Sequence, residues 1–252
     1  MNYNNEDRYS RQTVIEEIGT KGQEKLKKSS VLIIGCGGLG SPAALYLASA
    51  GIGRIGLVDD DIVSISNLQR QIMHGEADIF VPKTESAENS IKRINSDIII
   101  DKYQERLTED NAEEIFSEYD FIIDATDNFE SKFLINDVCV RMKKAFVHAG
   151  VMGFNGQVMT YVPGKGPCYR CIFCDIPNDE LVNRPEMFGI LGTVTGVIGS
   201  IEGTEAVKYL LGIGDLLTGR LLSFDALSMT FRIVDLPKAR EKCPACGKNN
   251  KD

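Results

Sequence analysis

Six polar residues stand where regular elements of this sequence end or begin: Asp59, Asp61, Asn67, Arg70, Lys83 and Asp127. Carboxylates set beside an arginine and a lysine suit a bound triphosphate, because the cations neutralise phosphate oxygens and an aspartate holds the accompanying magnesium ion. Each residue also has a plainer reading. Lys83 could be a solvated lysine at a helix start, Arg70 a surface ion-pair partner, and Asp127 a helix cap. Their shared position on one edge favours the chemical reading. Proton carriers are scarce: His148 lies in an apolar strand and reads as a core residue with a satisfied ring. His74 reads as nearer the surface, with no evident acid–base partner. No Ser-His-Asp or Cys-His constellation is visible.

The second chemical pattern is sulfur. Of seven cysteines, Cys168/Cys171 and Cys243/Cys246 form two C-x-x-C pairs. In a reducing compartment two such pairs suggest a closed, structural four-thiolate zinc site rather than disulfides. Cys36, Cys139 and Cys174 remain outside it.

These side chains need elements to hold them. Val31 to Ile34 is a short apolar run rich in β-branched residues, the pattern of a buried strand. It runs straight into Gly35-Cys36-Gly37-Gly38-Leu39-Gly40, then a small-residue helix, then a strand over Arg54 to Val58. A glycine turn between strand and helix lets phosphate approach backbone N–H groups at a helix N-terminus. Asp59 follows at the distance of a ribose-binding acid. An amphipathic stretch from Ile15 to Leu26 precedes this unit and reads as helical but interrupted at Gly19 and Gly22. Pro82 opens a helix, Asp97 to Tyr103 reads as a strand, and Thr108 opens another helix. The strand Asp120–Ala125 delivers Thr126, Asp127 and Asn128 to its C-terminal end. A helix over 129–142 and a strand over 145–149 follow. The alternation predicts an α/β chain with a Rossmann-like, doubly wound mixed sheet. Past Gly150 come an antiparallel strand over 156–162, a polar loop over 174–190, a helix over 193–211, and two strands within 219–235. A single domain over residues 1–252 is expected, with a nucleotide-binding half to about residue 150 and a zinc-bearing half over 151–252.

Composition removes other classes. The 252 residues carry 28 basic and 36 acidic side chains, a net charge of −8. Without any Lys/Arg run to offset it, that acidity argues against nucleic acid as a partner. The longest apolar stretch, Thr193 to Ile201, is too short and glycine-broken to span a membrane. The polar start carries no signal-peptide core, so a cytoplasmic location is expected. From the glycine loop alone, an NAD-dependent oxidoreductase is the default alternative. A nucleotide-binding module without turnover is another.

Arg8-Tyr9-Ser10-Arg11-Gln12, the glycine loop, Asp59-Asp60-Asp61, Ser66-Asn67-Leu68-Gln69-Arg70-Gln71, Pro82-Lys83 and Asp124-Ala125-Thr126-Asp127-Asn128 together resemble one family. It is the MoeB/ThiF/HesA adenylyltransferases, relatives of ubiquitin-activating enzymes, and the resemblance runs from Arg8 through the second cysteine pair. It implies ATP-dependent adenylation of the C-terminal glycine of a ubiquitin-like sulfur-carrier protein ending in Gly-Gly, for thiamine or molybdopterin-type sulfur transfer. It further implies that Gly35, Gly37, Gly38 and Gly40 lie against ATP and that Asp59 holds the ribose, with Asp61, Ser66, Thr126 and Asn128 around the nucleotide. Asn67, Arg70 and Lys83 would contact phosphates and Asp127 magnesium, while Arg11 would reach the phosphates of the other subunit of a homodimer. Cys168, Cys171, Cys243 and Cys246 match the family's zinc knuckle, in the half expected to dock the carrier. A sulfurtransferase donor is an implied further partner. In many relatives a cysteine in the loop before the 193–211 helix takes part in sulfur or acyl transfer. Pro185 stands at the matching position, which puts a covalent step in doubt and leaves Cys174 as the nearest free thiol.

Overall fold

The computed structural model describes residues 8–174 and 189–247. Helices α1 (Ser10–Thr13) and α2 (Gly19–Lys28) lead into strand β1 (Ser30–Ile34), helix α3 (Gly40–Ala50) and strand β2 (Arg54–Val58). Helix α4 (Lys83–Ile94), strand β3 (Ile99–Tyr103), helix α5 (Glu109–Ser117), strand β4 (Phe121–Asp124) and helix α6 (Phe129–Arg141) complete the first half. Then come strands β5 (Phe146–Met152) and β6 (Asn155–Tyr161), the one-turn helix α7 (Tyr169–Ile172), the long helix α8 (Gly192–Leu211), and strands β7 (Arg220–Asp225) and β8 (Thr230–Asp235).

The eight strands among the described residues join one sheet in the order β3-β2-β1-β4-β5-β6-β7-β8. The pairs from β3 to β5 are parallel and those from β5 to β8 antiparallel. This is the doubly wound mixed sheet expected from the strand–helix alternation. Successive β1 residues serve opposite faces, as a period of two requires. Val31 and Ile33 join a core layer with Ala43, Ala44, Leu47 and Ile198, whereas Leu32 and Ile34 join one with Phe116, Phe133 and Tyr169.

The small residues of α8 serve close packing. A Cβ on Gly199 would lie 2.3 Å from the Leu39 carbonyl oxygen, so this helix presses directly onto the glycine loop. One expectation needs correction. Helix α2 begins at Gly19 and runs through Gly22 without a break. A Cβ on Gly22 would meet Ile18 at 3.1 Å and Leu211 at 3.4 Å, so glycine here allows a tight approach instead of ending the helix. The polar loop expected at 174–190, Pro185 included, lies almost wholly outside the described residues. Among those residues no helix is long and apolar enough to cross a membrane.

Candidate nucleotide site

A cleft of about 780 Å³ opens at the C-terminal edge of the parallel strands, where β1 and β4 diverge to opposite halves of the sheet. Ligands collect at such a switch point because the helices that follow the two strands leave in opposite directions. Gly35, Gly37 and Gly38 line it. Gly35 has φ +97°, and a Cβ there would sit 2.7 Å from the Ala125 oxygen, so only glycine makes this turn. Gly40 lies behind the loop, where a Cβ would overlap the Gly35 oxygen. Thr195 of α8 supports Gly38 from below.

The acids and cations converge beside the loop. Asp59 follows the end of β2, and its two carboxylate oxygens accept from the backbone N–H groups of Cys36 (2.7 Å) and Asp61 (2.9 Å). Burial raises its pKa, against the opposing pull of Lys83 and those N–H groups. Pro82 starts α4, and the Lys83 N–H bonds the Asp61 carbonyl, which fixes the lysine at the cleft wall. Its ammonium lies 2.8 Å from Asp61 and 4.0 Å from Asp59, and the residue is only 6% exposed. A solvated helix-start lysine is thereby ruled out. Arg70 lines the cleft and donates to the Ser66 carbonyl at 3.1 Å. Its backbone is held by the start of α8, where a Cβ on Gly192 would collide with the Gln69 oxygen.

Across the cleft, Thr126, Asp127 and Asn128 follow β4, and all three line the space. Asp127 is exposed to it. Asn128, not Asp127, caps α6, accepting the Ser131 N–H at 2.9 Å. Ser66 and Asn67 are not brought to the cleft wall. The Asn67 amide oxygen accepts the Ser64 N–H at 3.0 Å and so caps its own short turn, and Ser66 offers its backbone oxygen to Arg70. Arg11 is exposed on α1 and outside the cleft of its own chain.

The floor holds a polar group that residue spacing does not announce. Asp124 is fully buried and accepts from Thr126 (2.6 Å) and from Nδ1 of His148 (2.7 Å), with the Lys132 ammonium at 3.5 Å. Burial works to raise its pKa, but Lys132, His148 and Thr126 together overcome it and hold the carboxyl down at about 2. Lys132 also donates to the Ala149 carbonyl at 2.8 Å. Burial lowers the His148 pKa, so its ring, packed on Tyr169 with centroids 4.4 Å apart, is neutral. His148 is a satisfied core residue, as its apolar strand suggests, yet it also lines the cleft with Lys132 and Tyr169. Behind this group Glu202 is buried, with no hydrogen-bond partner for either oxygen among the described residues. Burial first and Asp124 second push its pKa well above the ordinary carboxyl value. The only sequence signal for this group was charge inside apolar strands and helix faces. His74 corrects the surface expectation: it is 7% exposed and bonded at both ring nitrogens.

The four paired cysteines meet at the other end of α6. Cys168 lies 3.6 Å from Cys243 and Cys171 lies 3.4 Å from Cys246, sulfur to sulfur, and all four fall within 4.8 Å of one another. Tetrahedral zinc with bonds near 2.3 Å sets its sulfurs about 3.8 Å apart, so the cluster fits a four-thiolate metal. Burial raises the Cys168 thiol. At Cys243 burial is outweighed by the N–H groups of Cys246 and Ala245, which bring it to about 7. A cation among thiols this close draws all of them to thiolate. Tyr169 joins the regions, sitting inside the first C-x-x-C turn while its ring lines the cleft. Cys174 is exposed and lies 3.0 Å from the Arg240 guanidinium, apart from the four-sulfur cluster.

Fold and site define a nucleotide-binding α/β protein whose cleft is furnished for phosphate. The chain belongs to the ThiF family, whose model matches residues 9–245. It is 45% identical over 249 residues to the adenylyltransferase and sulfurtransferase MOCS3 of Aedes aegypti, covering 99% of this chain and 57% of that protein. It is 42% identical to the SAMP-activating enzyme E1 of Haloferax volcanii, covering 98% of this chain and 90% of that protein. The chain thus spans little more than half the length of the MOCS3 relatives. Among solved structures, E. coli MccB with AMPCPP and MccA superposes with a TM-score of 0.84 at 27% identity, covering 97% of this chain and 75% of that one. MccB with ATP gives 0.83 at 25%, covering 96% and 75%.

Proposed function

We propose that this protein uses ATP to adenylate the C-terminal glycine of a ubiquitin-like sulfur-carrier protein. The observation that carries the reading is the meeting of the glycine loop, Asp59, Lys83, Arg70 and Asp127 in one cleft. A glycine carboxylate is already ionised at neutral pH, so its attack on the α-phosphorus needs no general base. A carboxylate oxygen–phosphorus bond forms, the bond to the bridging oxygen breaks, and pyrophosphate leaves with the electron pair. The difficulty is bringing one anion to another. Neutralisation and positioning by Lys83 and Arg70 answer it, and the lack of a nucleophile–histidine pair follows naturally.

Asp127 is the residue that would hold magnesium, whose charge would offset that of the phosphates. Arg11 serves the partner's cleft in a homodimer. Its exposed position beside Val14, and the largely exposed Tyr46, Ile65 and Ile72, support a partner surface. Cys168, Cys171, Cys243 and Cys246 hold a structural zinc that ties the C-terminal segment to α7. Metal analysis of gently purified protein should find about one zinc per chain, and its stoichiometric absence would sink that assignment. The relatives named for both activities support a sulfurtransferase as the donor that follows adenylation. Thiamine and molybdopterin-type pathways both use carriers with such a tail.

The deciding measurement is exchange of labelled pyrophosphate into ATP with a panel of carrier proteins. Exchange that depends on an intact Gly-Gly end is expected. Stabilisation by NAD, without stabilisation by ATP and magnesium, would point to an oxidoreductase instead.

A further inference from the structure

His74 makes none of the phosphate or metal contacts proposed above, yet it is buried against the glycine loop. Its Nε2 lies 2.9 Å from the Cys36 carbonyl oxygen and its Nδ1 lies 2.8 Å from the Ser86 hydroxyl. A carbonyl only accepts, so Nε2 carries the proton and Nδ1 accepts from Ser86. One neutral tautomer satisfies both contacts.

The consequence lies on the far side of the peptide. The Cys36–Gly37 bond is trans, so its N–H points opposite to its C=O. With the Cys36 carbonyl turned to His74, the Gly37 N–H is turned away from it, and Gly37 itself lines the cleft. Neither the Gly37 nor the Gly38 N–H has a hydrogen-bond partner among the described residues. The Cys36 N–H is itself held by Asp59 at 2.7 Å. Two side chains from different segments therefore pin both peptide groups of Cys36. Glycine neighbours, which are otherwise free to rotate, make such pinning necessary. Ser86 lies three residues beyond Lys83 on α4, so the same contact keeps the loop in step with the helix that presents the lysine.

We propose that His74 is a positioning residue of the nucleotide site, holding the Cys36 carbonyl inward so that the Gly37 N–H is aimed at a phosphate of the bound nucleotide. This rests on the reading of the cleft as an ATP site. Its signature is dependence on phosphate: the histidine matters for ATP and not for adenosine.

Calorimetric binding of ATP with magnesium, and of adenosine, to the full chain tests it. His74→Leu should weaken ATP binding roughly 10-fold, the scale of a lost hydrogen bond, and leave adenosine within about twofold. His74→Gln, whose amide can donate to the same carbonyl, should restore ATP affinity to within about threefold of the original. In pyrophosphate exchange, His74→Leu should raise the KM for ATP more than it lowers kcat. Equal losses for ATP and adenosine, unchanged ATP binding, or a glutamine variant as weak as leucine would each overturn the proposal. Should His74→Leu fail to fold, Ser86→Ala decides, with a selective loss for ATP in favour and no selective loss against. A wild-type chain that binds neither ligand, or adenosine as tightly as ATP, overturns the ATP reading itself. A wild-type chain that prefers ATP while the variants keep that preference overturns only the role of His74.

Discussion

Strands β1, β2 and β4 bury almost every residue and keep their polar groups for the strand ends, whereas β8 leaves Phe231, Ile233 and Val234 half exposed or more. In the parallel half, charge is tied in and beside the cleft: buried Asp124 to Lys132 and His148, and buried Lys83 to Asp59 and to the exposed Asp61. In the antiparallel half, four cysteines gather around α7 within 4.8 Å of one another, where the proposed zinc would do the holding. A buried ion network cannot be loosened by parts, since removing one partner strands the other without water. A metal bound by four thiolates would fasten two chain segments without needing a large core of its own. The parallel half is thus built for a fixed geometry around a polyanion. The other half presents an open apolar face with its end held down.

Breaking the buried network is the severest challenge to that contrast. Asp124→Ala leaves the buried Lys132 ammonium without its counter-charge and the His148 Nδ1 without its acceptor, and should cost about 3–5 kcal/mol in chemical denaturation. A loss below ~1 kcal/mol would remove the network from the account. The pH dependence belongs with it. The Asp124 carboxyl is held at about 2 in the fold, below its ordinary value, so its stabilisation is present above about pH 4 and fades as pH falls toward 2, by about 2 kcal/mol in all. The Asp124→Ala variant should lack that acid limb.

Next in size is a change that touches chemistry and not stability. Asp127 is exposed to the cleft, so Asp127→Ala should keep its melting temperature while carrier-dependent pyrophosphate exchange falls by roughly 100-fold or more. Undiminished exchange would take Asp127 out of the mechanism. A sharper test mixes two inactive chains. If Arg11 acts across a dimer, Arg11→Ala combined with Asp127→Ala should recover about a quarter of wild-type exchange, because only hybrid dimers carry one intact site. No recovery would mean that Arg11 does not serve the partner's cleft. The smallest expected effect falls at the sulfur end. Cys174 lies outside the four-sulfur cluster, and Cys174→Ala should leave exchange within about twofold of wild type. Loss of exchange would put that thiol into the adenylation step.

The strands of the parallel half were legible because runs such as Val31–Ile34 and Phe121–Ile123 are buried on both faces and therefore read as continuous apolar segments. The glycine loop and the two C-x-x-C turns were legible because each is a local conformation with a demanded residue type. Gly22 misled because a helix glycine that accommodates a neighbour looks the same in sequence as one that ends a helix. Asn67 shows a structural role that the motif does not announce, because an amide that caps its own turn looks the same in sequence as one that does not. His74 was read as nearer the surface because its partners, Cys36 and Ser86, are 38 and 12 residues away.

The sequence by itself determined the alternation of elements, the phosphate-ready turn after β1, the cations that follow it and the two cysteine pairs. All of these rest on periodicity and short-range backbone chemistry. The tertiary structure alone decided which polar groups share a site. Asp124 meets His148 because parallel pairing puts β4 beside β5 in a register that aligns those two residues, and Lys132, from the helix after β4, reaches Asp124 and the Ala149 carbonyl. It likewise decided that Lys83 is buried and that the Cys36 carbonyl faces inward. Neighbours brought together by sheet register and helix packing leave no local signature in the chain, since each pair is chosen by the whole fold's burial of apolar surface.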